Sequence, residues 1–108
     1  MTDRLEQLRQ LAAADPQDAL TRFLLGRELA TRDLDHEAAG EFRQVILLDP
    51  RYAAAYRQLG NSLERLSQPE EAADVYRSGV KIAAETGDLQ AGKEMSAFLK
   101  RLGRSSRS

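Results

Sequence analysis

Ala53 to Thr86 reads AAAYRQLGNSLERLSQPEEAADVYRSGVKIAAET, and a diluted copy of it lies directly upstream at an offset of 34 residues. Sliding Ala19–Tyr52 onto it pairs Leu25-Gly26 with Leu59-Gly60, Leu29 with Leu63, and Glu37-Ala38-Ala39 with Glu71-Ala72-Ala73. Phe42 then falls on Tyr76 and Arg43 on Arg77. Self-similarity at a fixed period of this size marks a repeat architecture, and everything outside the two copies caps or connects them.

Within each copy the apolar residues recur at helical spacing. Leu25, Gly26 and Leu29 share one side of a first helix, and Ala38, Phe42 and Val45 or Ile46 share one side of a second. A glycine inside a helix costs about 1 kcal/mol against alanine. Keeping it at both Gly26 and Gly60 predicts that a neighbouring helix approaches closely there.

On these residues the chain resembles the tetratricopeptide repeat family, whose helix–turn–helix unit of about 34 residues carries a Leu-Gly pair and a later Tyr in its first helix, then Ala, an aromatic and a closing Pro. The second copy supplies Tyr56, Leu59, Gly60, Leu63, Ala72 and Tyr76; the first supplies Leu25, Gly26, Leu29, Ala38, Phe42 and Asp49-Pro50. Arg22 stands where the family has an aromatic, Leu29 and Leu63 replace its Tyr, and Val45 and Gly79 replace a small Ala. Ala83-Ala84 replaces Asp-Pro, so the last helix of the second copy is expected to run on. The resemblance implies an all-α fold, a short right-handed α-α superhelix of about six antiparallel helices.

The chain has 108 residues and a net charge near −1, room for one domain and no basic excess for nucleic acid or an anionic membrane. Without cysteine there is no disulfide framework and no thiolate zinc site. No signal peptide or membrane span is visible, so the cytoplasm is the expected compartment.

Thr2 to Ala14 reads as an amphipathic helix with Leu5, Leu8, Leu11 and Ala12 on one face and Thr2 or Asp3 as its cap. Asp15-Pro16 lies 34 residues before Asp49-Pro50, which places this helix where the second helix of a preceding repeat would stand. Its leucine stripe is expected to cover the open end of the first copy. Asp followed by Pro suggests an N-cap and a first helical residue. The expected helices are Pro16–Thr31 and Asp35–Leu48, joined by Arg32-Asp33-Leu34, then Pro50–Leu66 and Pro69–Glu85. Gly87 is the expected stop and Asp88 the next cap, opening a last helix to Leu102 that carries Leu89, Met95, Leu99 and Leu102. The expected organisation is a capping helix over 1–15, repeats over 16–52 and 53–86, a capping helix over 87–102, and a disordered polar tail over 103–108.

Catalytic signals are sparse. His36 is the only histidine and has no His or Cys partner for a metal site. Asp33, Asp35 and Glu37 alternate as in a calcium loop, but Ala38 and Gln44 occupy places that need Gly and a bidentate acid. Glu70-Glu71 fits a helix start better than an acid–base pair. There is no phosphate loop or nucleophile elbow, so no cofactor, no metal and no enzyme are expected.

What remains is surface. The first helix of each pair lines the concave side of such an array, a groove suited to peptides. The resemblance puts Leu20, Phe23, Arg27, Ala30 and Thr31 in the groove from the first copy, and Ala54, Arg57, Asn61, Glu64 and Arg65 from the second. The partner-binding residues expected are therefore Leu20, Phe23, Arg27, Thr31, Arg57, Asn61 and Arg65. Their chemistry predicts an acidic segment or the C-terminus of a polypeptide as ligand, because arginine forks carboxylates and asparagine can donate through its amide. Arg57 and Asn61 also match part of the pattern by which some family members clamp the acidic C-terminus of heat-shock chaperones. Gly92 stands where that pattern has a further Asn, with only Lys93 nearby. The protein is thus expected to be a non-catalytic protein-interaction module. Two other readings remain: a structural homo-oligomer, such as a homodimer, joined through its end helices, and an enzyme or its regulatory subunit centred on His36 and its neighbouring acids.

Overall fold

A computed structural model of the protein describes residues 3–105. It contains six helices: α1 (Arg4–Ala14), α2 (Ala19–Thr31), α3 (Asp35–Leu48), α4 (Ala53–Arg65), α5 (Pro69–Thr86) and α6 (Leu89–Ser105). Each packs against its successor, and α4 also meets α2 and α6, so the first helices of successive pairs line up along one face. The expected all-α solenoid is the observed architecture.

The core is built by the repeat itself. Gly26 lies under the Phe42 ring, where an added Cβ would come within 2.6 Å of a ring carbon. At Gly60 a Cβ would run into the Tyr76 ring. Both aromatics are fully buried, with Leu29 and Leu63 beside them. Close approach is therefore the reason for both glycines. Gly79 works the same way, with Met95 and Tyr56 closing over it.

The turns repeat too. Asp33 and Ser67 each take φ 61°, the left-handed conformation that ends α2 and α4. Leu34 N then donates to Leu29 O at 3.0 Å and Gln68 N to Leu63 O at 2.9 Å, which satisfies carbonyls the helix ends would leave bare. Gly87, at φ 78°, stops α5 as expected, and Asp88 Oδ1 accepts from Ala91 N to cap α6.

The Asp-Pro pairs differ from expectation. Asp15 and Asp49 close α1 and α3, Asp49 in extended conformation, and the prolines sit in the turns, so α2 and α4 begin three residues late. The reason is that polar side chains compete for the same backbone donors: Asp49 Oδ1 accepts from Arg51 N in a local turn, and Asp18 caps α2 by accepting from Leu20 N and the Thr21 hydroxyl. Asp3 stands at the start of α1 without capping it, because Arg32 holds its carboxylate from two nitrogens at 2.6 and 2.9 Å. The alternative cap Thr2 and the tail Ser106–Ser108 lie outside the described residues. Gly103 to Ser105, expected in the tail, belong to α6. With Ala83-Ala84 in place of Asp49-Pro50, α5 runs 18 residues against 14 for α3, as expected.

On α1, Leu8 and Ala12 are buried against the first pair, but Leu11 stays 57% exposed, since no helix among the described residues covers it. Arg9 pairs with Glu37 at 3.0 Å, and 34 residues on Arg43 pairs with Glu71 at 2.9 Å. These exposed pairs contribute little stability. Their recurrence shows that α1 occupies the place of a second-type helix, like α3 and α5. Arg22, the departure from the aromatic pattern, donates through Nε to Pro16 O at 2.6 Å; the Tyr56 hydroxyl donates to Pro50 O at 2.7 Å. The same bond is made by a different residue type.

Candidate functional site

The inner face is formed by α2, α4 and α6, and its two halves are in different states. In the second half, Arg57 pairs with Glu94 of α6 at 2.9 Å, while Arg65 reaches Asp35 at the start of α3 at 2.8 Å. The Tyr76 hydroxyl lies 2.7 Å from Asn61 Oδ1 and 2.6 Å from Glu64 Oε2, offering one proton to two acceptors. Arg101 of α6 forks the Glu64 carboxylate at 2.8 and 3.0 Å. Its guanidinium also lies 5.6 Å from the centre of the Phe98 ring, which packs on Tyr76.

The electrostatics follow from these contacts. Burial first, then the adjacent Glu64 carboxylate, push the Tyr76 phenol well above its usual range. Burial would raise Glu64 as well, but hydrogen bonds from Arg101 and Tyr76 outweigh it and hold the carboxyl below the usual glutamate range. Glu94 is also held low, first by Gln90 Nε2 at 2.9 Å and then by Arg57.

In the first half, Phe23 is buried rather than available: it stacks between Phe42, with centroids 5.8 Å apart, and Tyr52, at 4.9 Å. Leu20 is 56% exposed. Thr31 turns its hydroxyl back to Glu28 O. Of the four arginines on α2 and α4, Arg22, Arg57 and Arg65 are ion-paired, and Arg27 is exposed with no ion pair among the described residues. Arg27 lines a cavity of about 170 Å³ with Arg4, Leu24, Glu28 and Thr31.

The structure thus brings together Arg57, Asn61 and Glu64 with α6, and leaves Leu20 exposed and Arg27 without an ion pair among the described residues. Sequence reasoning missed Glu94, Arg101 and the Tyr76 hydroxyl. The signal for the last was present, since the copy that has Tyr76 in place of Phe42 also has Asn61 and Glu64 in place of Arg27 and Ala30. His36 is exposed, and among the described residues no group of three His, Cys, Asp or Glu could hold a metal. No described helix is long and apolar enough to cross a membrane.

No protein-family model matches the sequence. A TPR repeat-containing protein of Pseudomonas aeruginosa is 32% identical over 100 residues, covering 93% of this chain and 95% of that protein. The solution structure of a Bordetella parapertussis protein superposes with a TM-score of 0.84 at 31% identity, covering 97% of this chain and 91% of the other. A tetratricopeptide repeat domain protein of Salinibacter ruber superposes at 0.75 and 31% identity, covering 82% and 89%. The TPR2B domain of yeast Sti1, solved in a complex with pHsp70, superposes at 0.87 over 94% and 81%; at 16% identity this is a likeness of fold.

Proposed function

This chain belongs to the tetratricopeptide repeat family, and we propose that it works in the cytoplasm as a non-catalytic module that binds an acidic peptide segment or a polypeptide C-terminus in its concave groove. The observation that carries this reading is Arg27, an exposed guanidinium on an inner-face helix without an ion pair among the described residues, with Leu20 exposed on the same helix. Such a site offers a carboxylate a planar fork and an apolar residue a landing place. Arg57, Asn61 and Arg65 contribute less, because Glu94, Tyr76 and Asp35 already engage them. The chaperone complex of the yeast Sti1 domain illustrates what the fold can hold.

Fluorescence anisotropy with acidic peptides, free or amidated at the C-terminus, tests the reading. Arg27→Glu is expected to weaken binding at least tenfold, Arg57→Glu by less, and added salt to weaken wild-type binding. Equal affinity for wild type and Arg27→Glu would sink the groove reading.

A second reading, homo-oligomerisation through the end helices, is favoured by one observation. Both end helices carry an exposed leucine, Leu11 on α1 and Leu89 on α6.

A further inference from the structure

Where the stack ends, a trough runs the length of the α5–α6 pair. Two cavities of about 510 and 470 Å³ lie along it. They share one stripe of α5, with Ala73, Val80 and Ala84, and one of α6, with Gly92, Ser96 and Leu99. Small side chains on both walls leave room for a helix to come close. This is the side on which α5 and α6 would meet the next second-type helix.

The opposite end of the molecule is such a helix. In the 34-residue frame Leu11 of α1 stands at the place of Val45, which is fully buried between neighbours, yet Leu11 is 57% exposed. The ion pairs mark the same vacancy from the other side. Arg9 and Arg43 each bind a glutamate 28 residues on, in the next second-type helix. Arg77 comes next in that series; it is 65% exposed and among the described residues its ion pair is with Asp74 of its own helix. One period before Glu37 the frame puts Asp3, which Arg32 of the same copy already holds. Glu6 lies one turn further on and has no ion pair among the described residues.

We propose that copies of this protein join head to tail, α1 of one copy seating in the α5–α6 trough of another, with Leu11 in the trough and Glu6 against Arg77. The inference rests on the self-association reading and adds its polarity. The two surfaces in contact are different ones, so the contact is heterologous and the stack extends rather than closing on a two-fold axis.

The test blocks one end at a time. Leu11→Glu spoils the α1 face and Arg77→Glu the trough, both at exposed positions; Glu6→Arg is a second α1 variant should Leu11→Glu lower the thermal melt. Sedimentation equilibrium is expected to show wild-type mass rising past two protomers with concentration, and each variant at least tenfold weaker and close to monomeric. A mixture of Leu11→Glu and Arg77→Glu retains one good contact, and is expected to give a dimer and nothing larger. A Leu11→Glu protein that still dimerises would overturn the head-to-tail polarity while leaving self-association standing. A wild type that stays monomeric up to millimolar concentration would overturn both.

Discussion

Phe42 and Tyr76 occupy the same place in the two repeats, and one hydroxyl separates the two halves of the inner face. Phe42 is enclosed by Gly26 and Phe23, all apolar, and the first copy has Arg27 and Ala30 at the places of Asn61 and Glu64. Arg27 has no ion pair there among the described residues. Tyr76 carries its oxygen to the inner face, where Asn61 and Glu64 meet it and Arg101 locks the carboxylate from α6. The core packing is shared; the polar surface above it is not. A repeat can therefore keep its scaffold and still leave one half of a groove open while closing the other.

The contrast can be broken from both sides. The largest effect is expected where the halves agree: Gly60→Leu drives a side chain into the Tyr76 ring and is expected to cost about 3 kcal/mol or more. Urea unfolding would measure it, and an unchanged midpoint would show that the ring has somewhere to go. Exchanging the aromatics comes next. Phe42→Tyr buries a hydroxyl with neither Asn nor Glu facing it, an expected loss of about 1–3 kcal/mol, whereas Tyr76→Phe removes a satisfied bond and is expected to lose about 1 kcal/mol. Equal losses would mean that the polar cluster does not distinguish the halves.

The smallest effect is one of pH. Glu64 is held below the usual range in the folded state, so the stability it contributes is present above its unfolded pKa and is lost as pH falls through its folded value. The gap in urea midpoint between wild type and Glu64→Gln is expected to narrow on acidification from neutrality. A gap independent of pH would remove Glu64 from the account.

The fold was legible because its determinants are local and occur twice. Helix α3 spans Asp35–Leu48 as its spacing predicts, and the loss of Asp-Pro at Ala83-Ala84 correctly foretells the longer α5. The helix starts after Pro16 and Pro50 were misplaced, since Asp49 engages a local turn and Asp18 competes as the cap, an outcome of geometry rather than composition. The candidate site was less legible. Arg57 and Arg65 look free in the sequence, but their partners Glu94 and Asp35 lie 37 and 30 residues away, set by how helices stack. Phe23 looks like a groove residue until Tyr52 stacks on it from the start of α4.

Arg22 carries a lesson about information. It stands where the second copy has a tyrosine and shares with it neither aromaticity, shape nor charge, yet both donate a hydrogen bond to a proline carbonyl six residues back. What is inherited from one period to the next at this place is a donor at the right distance, and several letters of the alphabet can spell it. An array copied in this currency can drift far in its spelling while its grammar stays intact, which is how two repeats so unlike in text come to stack as one object.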